Sequence, residues 1–347
     1  MTFDNRLTPA ALKAMPKIDL HRHLEGSLRL ETLVDIGREF ELDLPLHDMD
    51  HFRPYVQIID DPQTHEAFLS KFHVLRHFYR SPATIDRLTY EVVADAAADN
   101  IHYLELRFSP QALARVQGFS LDEVTDWVIT AVNRASADHN IQVGLIITLV
   151  RHDPIEQARE VAAIACRRAG QGIIGIDLAG DEVKFPAHPF SPIFQEAKAS
   201  GLGVTIHAGE WASAWGIKQA INELHADRIG HGVRAVENSE VLRLVRDSQK
   251  ALEVCLTSNF QSGVVKQMEE HPLLDLLDLG ARVTINTDDP TVSGLTLTDE
   301  YQVAVDIFGL DYAQLRCVIL NAAESAFLPT TAKKELVTHF ETVLPLP

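Results

Sequence analysis

The chain has 347 residues, 46% of them apolar and 23% charged, with 18 Gly and 16 Pro, a composition of folded globular proteins rather than of disordered or collagen-like ones. Asp and Glu number 49 against 31 Lys and Arg, and the formal charge of -18 repels phosphate backbones and anionic lipid, so neither nucleic acid nor a membrane is an expected partner. The most apolar run, 143–150, falls far short of the roughly 20 residues of a bilayer span, and MTFDNRLTPAALKAMPK lacks an apolar signal core, so a cytoplasmic protein is expected.

In chain order, runs rich in Val, Ile and Leu predict strands at 18–23, 101–108, 143–150, 173–178, 204–207, 228–231, 252–256 and 283–286. Amphipathic stretches at 85–98, 121–137, 155–168, 214–224, 239–246 and 272–277 predict helices between them. Strand and helix alternating over the whole length point to an α/β fold, a closed (β/α)8 barrel of the TIM type, although an open doubly wound sheet shows the same local pattern. The chain, 1–347, is read as a single barrel domain. Its first link, 24–100, is longer than one helix requires and carries Phe68, Phe72, Leu75 and Tyr79 at the spacing of an apolar helix face. Because it leaves the C-terminal end of a strand, it is expected to form a lid-like helical insertion over the barrel mouth, the alternative being a helix packed on the flank. After Leu310 a terminal helix, 312–327, and a short tail are expected. Cys166, Cys255 and Cys317 are too scattered for a disulfide framework or a thiolate cage and are read as buried thiols.

Polar residues collect where the predicted strands end. The first ends His21-Arg22-His23, and residues two apart on a strand face the same way, so both imidazoles project together. Alone, such a pair is more safely read as a hydrogen-bonded structural pair. The fifth strand ends in His207, followed by Ala208-Gly209-Glu210; the sixth ends in His231 between two glycines; the eighth runs into Asn286-Thr287-Asp288-Asp289-Pro290, which by itself reads as a turn. In a (β/α)8 barrel these ends converge on one mouth, which carries the active site. Three imidazoles and a carboxylate suit a divalent cation, most often zinc, so His21, His23, His207 and Asp288 are the expected ligands of one Zn2+ per chain. Glu210 and His231 remain as uncoordinated acid and base, with Asp289 an acceptor beside the metal.

The segments HRHLEGSLRLETL, YLELRFSP (103–110), DLAGDE (177–182), HAGE (207–210), GHG (230–232) and NTDDP (286–290), in this order, resemble the adenosine deaminase family. The resemblance implies a zinc-dependent aminohydrolase acting on the 6-amino group of an adenine ring, distinct from the small zinc deaminases with a P-C-x-x-C pair, which this chain lacks. It implies that His21, His23, His207 and Asp288 hold zinc, with Asp288 also counted among the catalytic groups and His23 among those that bind substrate. Glu210 would give a proton to N1, His231 would orient and deprotonate the attacking water, Asp289 would meet N7, and Gly180 would bring its backbone close to the ring, although an ordinary turn glycine fits that position too. The expected reaction converts adenosine or 2′-deoxyadenosine to the inosine product and ammonia, so the expected partner is a small purine nucleoside. Adenine, or a 5′- or N6-modified adenosine, is the alternative substrate; a different metal hydrolase and a non-catalytic metal-binding protein are the competing classes.

Three positions depart from the family pattern. Glu25 stands where adenosine enzymes often have Asp; if the first strand continues, its carboxylate faces the mouth where a ribose would sit, and otherwise it is a solvated turn residue or the N-terminal acid of the next helix. Leu256 replaces the Pro of a Cys-Pro-x-Ser segment. Trp211 has no counterpart and is expected either to line the pocket or to pack.

Overall fold

In the computed structural model, which describes residues 7–346, eight strands follow one another around a single parallel sheet: β1 Lys17–His23, β2 Ile101–Phe108, β3 Gln142–Val150, β4 Ile173–Ala179, β5 Gly203–Ala208, β6 Arg228–His231, β7 Ala251–Val254 and β8 Val283–Ile285. Each pairs with the next, and just past β8 the backbone returns to β1, where the His23 N–H donates to the Asp288 carbonyl and the Asp288 N–H to the His21 carbonyl, both at 2.8 Å. Sequential order with closure is the (β/α)8 barrel; a doubly wound sheet would reverse its strand order partway. Helices cover the outside, so strands such as β2 and β6 are buried almost throughout.

The barrel interior is not wholly apolar. Arg228 donates from Nε to Glu253 and from Nη2 to Glu105, both at 2.5 Å, and Arg107 Nη2 donates to Glu253 Oε2 at 2.9 Å. All four side chains are fully buried, and charges there persist only when paired and hydrogen-bonded. This layer lies beneath the mouth and reaches it through Glu253.

Several sequence expectations shift. β7 stops at Val254, and Leu256 opens a helix, Leu256–Gln261, whose first N–H groups at Leu256 and Thr257 donate to Glu300 at 2.8 and 3.1 Å. A buried carboxyl at a helix N-terminus satisfies amides that have no intrahelical partner. It uses the very N–H that Leu256 has and Pro would lack. Segment 24–100 divides by position: helices Met49–Val56 and His65–Leu75 pack on each other, with Phe68 and Phe72 facing the mouth cavity, whereas Pro82–Ala98 lies on β2 and on the helix Leu121–His139 in the outer ring. The expected C-terminal tail is corrected: the helix Tyr312–Ser325 is followed by a second, Thr330–Val343, which buries Leu336 and Phe340, a four-residue spacing that places both on one face. The reading of three buried thiols is also corrected, since Cys255 alone is buried, Cys166 is half-buried and Cys317 is exposed on an outer helix. Among the described residues no helix is long and apolar enough to cross a membrane.

Candidate active site

The strand ends bring His21, His23, His207 and Asp288 together, with one nitrogen or oxygen from each lying within 4.8 Å of the others. The outer nitrogens of His21 and His207 are already spoken for. His21 Nδ1 lies 2.8 Å from Glu253 Oε2 and His207 Nδ1 lies 3.0 Å from Asp177 Oδ1, so each ring donates outward and turns the lone pair of Nε2 inward. The inward atoms then face one another as acceptors: His21 Nε2 is buried without a hydrogen-bond partner 3.2 Å from Asp288 Oδ1, and His23 Nε2 lies 3.3 Å from His207 Nε2. Acceptor against acceptor at these distances calls for a cation, and a nitrogen-rich set with one carboxylate fits a divalent metal of the zinc type. Asp288 is oriented by Ser258, whose Oγ donates to its Oδ2 at 2.7 Å; despite burial, that carboxyl is held well below its ordinary range by the surrounding imidazoles of His21, His231 and His23.

A cavity of about 420 Å³ opens above this cluster, bordered by His23, Glu25, Gly180, Glu210, Trp211 and Asp289 among others. A larger depression of about 640 Å³ at the opposite end of the barrel surrounds Lys198, Asp227 and Arg228 and has no comparable ligand set. Glu210 is buried, and its carboxyl is pushed well above the ordinary value by that burial and by the nearby Asp288 and Glu182 charges. His231 Nε2 lies 3.6 Å from Glu210 Oε1 and 4.0 Å from Asp288 Oδ2, and burial keeps the imidazole neutral. Asp289 is raised strongly as well, by burial and by Asp288, Glu25 and Glu210, and its Oδ1 has no partner. A carboxyl raised in this way favours its protonated form, which donates rather than accepts, as an acceptor such as a purine N7 requires.

β1 ends at His23, so the period-two argument for Glu25 fails. Glu25 nonetheless reaches the cavity from the following turn, where Oε1 accepts from the Ser109 N–H at 2.8 Å and Oε2 is left buried and unpaired. Burial raises it to about 7. Trp211 lines the cavity, stacks on His65 with ring centroids 5.3 Å apart and donates from Nε1 to Ser262 at 3.1 Å. Gly180 borders the cavity at φ +98°, a conformation that glycine adopts without steric cost. Gly26 has a second constraint, since a Cβ there would lie 1.8 Å from Asp289 Oδ1. His231 and Asp288 also sit at positive φ, 60° and 59°, a left-handed turn that aims both side chains back over the mouth.

The residues that hold the site were not assigned from sequence. Asp177 and Glu253 are charged positions inside otherwise apolar strands, a detectable signal, but what they orient becomes visible only in three dimensions. Glu182 has a similar role: its carboxylate accepts the N–H groups of Gly209, Glu210, Trp211 and Ala212 at 2.7 to 3.2 Å and so fixes the loop that carries the buried acid. Glu182→Gln replaces an accepting oxygen with an NH2 group and is expected to lower kcat/KM about tenfold with metal content intact. Steady-state kinetics beside metal analysis check this, and an unchanged kcat/KM would mean the loop needs no such anchor.

A barrel whose strand ends carry three imidazoles, a carboxylate and an adjacent buried acid defines the divalent-metal hydrolases of the (β/α)8 type. A model of the adenosine deaminase family matches residues 16–343. A protein named adenosine deaminase from Erwinia tasmaniensis is 41% identical over 320 residues, covering 92% of this chain and 96% of the relative. Among solved structures, an adenine deaminase from Arthrobacter aurescens superposes with a TM-score of 0.87 at 26% identity, covering 96% of this chain and 100% of that one. An Arabidopsis protein, ADAL, in complex with IMP superposes with a TM-score of 0.85 at 27% identity, covering 96% and 98%. The chain belongs to the adenosine deaminase family.

Proposed function

We propose that the protein is a zinc-dependent adenosine deaminase that hydrolyses adenosine and 2′-deoxyadenosine to inosine and 2′-deoxyinosine with release of ammonia. The observation that carries the reading is a buried Glu210, its carboxyl pushed well above the ordinary range, in one cavity with a four-donor metal cluster. A metal-binding protein without catalysis has no use for such an acid, and an ester hydrolase has no ring nitrogen to protonate. Zn2+ held by His21, His23, His207 and Asp288 would lower the pKa of a water toward about 7 and so supply the nucleophile. Glu210 holds the proton for N1, which makes C6 electrophilic and neutralises the charge that attack at C6 builds on the ring. Asp289 donates to N7 and fixes the ring plane, Gly180 leaves room for the ring edge, and His231 orients the attacking oxygen. The C6–O bond forms and the C6–N bond breaks; of the two protons of the attacking water, one goes to the amino group, which leaves as ammonia, and the other restores the proton that Glu210 gave to N1. Phe68 and Phe72 cap the cavity from segment 24–100 in the role of a lid that excludes water.

Glu25 supports a nucleoside over a free base, since its unpaired Oε2 borders the same cavity and can bond a sugar hydroxyl. An ultraviolet assay of adenosine, deoxyadenosine and adenine is expected to give a much higher kcat/KM for the nucleosides, with Glu25→Ala narrowing the gap by acting on them alone. Adenine proving the better substrate would overturn the nucleoside reading. A second reading rests on Arg76, which borders the cavity, interacts electrostatically with Glu25 and has a buried, unpaired Nε; it favours an adenosine with an anionic 5′ substituent, and turnover of AMP alongside adenosine tests it.

A further inference from the structure

Behind His231, on the side away from the metal cluster, three buried side chains form a chain of hydrogen bonds. His231 Nδ1 lies 3.1 Å from Asn259 Nδ2, and Asn259 Oδ1 lies 3.2 Å from His271 Nε2. Beyond it the backbone N–H of Leu273 lies 3.1 Å from His271 Nδ1. Asn259 is fully buried, with His231 and His271 nearly so, and neither Asn259 nor His271 is a ligand or borders the cavity.

A backbone N–H can only donate, and that fixes every other polarity in the chain. His271 Nδ1 must accept from Leu273, so the proton of the neutral ring sits on Nε2 and is donated to Asn259 Oδ1. The amide of Asn259 is thereby pinned with its NH2 toward His231, whose Nδ1 must accept. A neutral His231 then carries its one proton on Nε2, the nitrogen that faces Glu210 and Asp288. We infer that Asn259 and His271 are positioning residues whose hydrogen-bond relay, anchored on the Leu273 amide, sets the tautomer of His231 so that it presents an N–H to the reacting centre.

The relay requires a neutral His271, and burial alone pushes that imidazole down to about 3. Its consequence bears on the deaminase reading, on which the functional part of the inference rests. With Nε2 protonated, His231 holds the attacking oxygen by donating to it and has no lone pair there to take its proton, so the role of base expected from the sequence becomes one of orientation.

The test reads the tautomer directly. Nitrogen-15 NMR of histidine-labelled, metal-loaded protein without substrate, with the His231 signals assigned by their loss in His231→Ala, is expected to place the proton on Nε2. Asn259→Asp, nearly identical in shape but an acceptor on both atoms, is expected to move it to Nδ1 and to lower kcat about tenfold or more with KM little changed, because an interaction made in the transition state is lost. His271→Leu, which frees the amide of Asn259, is expected to lower kcat in the same way, and His271→Gln, whose side-chain N–H can still donate to Asn259, to recover most of it. A wild-type proton on Nδ1, or an Asn259→Asp spectrum and kcat identical to wild type, would overturn the relay. The spectrum needs no turnover, so a protein inactive on adenosine with the Nε2 tautomer would count against the deaminase reading and leave the relay standing.

Discussion

Glu210→Gln is expected to retain the metal and to bind substrate normally while losing about a hundredfold or more in kcat, the scale of a missing general acid. The argument starts from burial. Burial and the adjacent Asp288 and Glu182 charges raise the Glu210 carboxyl strongly, outweighing Arg151 and Arg234, which lower it. A carboxyl raised in this way favours its protonated form, the form that can donate to a ring nitrogen. Glutamine keeps the shape and an N–H toward the same point but cannot release its proton, so binding survives and proton transfer does not. The pH dependence has a definite sign: kcat/KM of the wild type falls as pH rises through the raised pKa of Glu210, and the variant lacks that alkaline limb. Stability follows the same linkage, because a group raised above its unfolded value of 4.5 contributes fully below that pH and loses the contribution as pH climbs through the folded value. The variant is therefore expected to lose less stability than wild type on the alkaline side. A fall in kcat of only a few-fold would remove Glu210 from the role of donor.

The parts of this site legible in the sequence are those that end strands. His21, His23, His207, His231 and Asp288 each fall at a point where an apolar run stops, and barrel geometry alone brings such points together. What escaped is what depends on depth. Glu253 sits between Leu252 and Val254 in a strand only four residues long, and nothing in that pattern says that its carboxylate meets His21, Arg107 and Arg228 at once. Asn259 and His271 are twelve residues apart, on a helix and in a loop that a linear reading does not bring together. For Asp289 the sequence shows the residue type but not its desolvation, and it is burial beside Asp288, Glu25 and Glu210 that raises its carboxyl. The second C-terminal helix has a simpler explanation: the preceding helix ends at Ser325, Pro329 stands at the N-cap of the next, and the apolar spacing from Leu336 to Phe340 restarts the pattern within what reads as a tail.

His207→Ala is expected to reduce metal content from about one ion per chain to near zero and to abolish turnover, since it removes one of four donors and leaves an incomplete ligand set. The same substitution does more than subtract a nitrogen. Asp177 Oδ1 now accepts from His207 at 3.0 Å, and without the ring its buried carboxylate keeps Arg107, 3.5 Å from Oδ2, and the Thr148 hydroxyl as its remaining partners. Part of any loss of stability therefore comes from an underpaired buried charge, a penalty of about 1 to 3 kcal/mol for a group so left. Comparing thermal unfolding with and without Zn2+ separates the two effects. A ligand that binds only the folded state stabilises it by about 2.7 kcal/mol at a hundred times its Kd, so the wild-type Tm is expected to rise with added metal and fall on chelation. The variant is expected to unfold at one temperature whether or not metal is present, somewhat below chelated wild type. A folded His207→Ala protein that carries a full equivalent of metal would show that His207 is not a ligand, and the fourth donor would then have to be sought in the second group the mouth offers, His231 and Cys255 around Asp288.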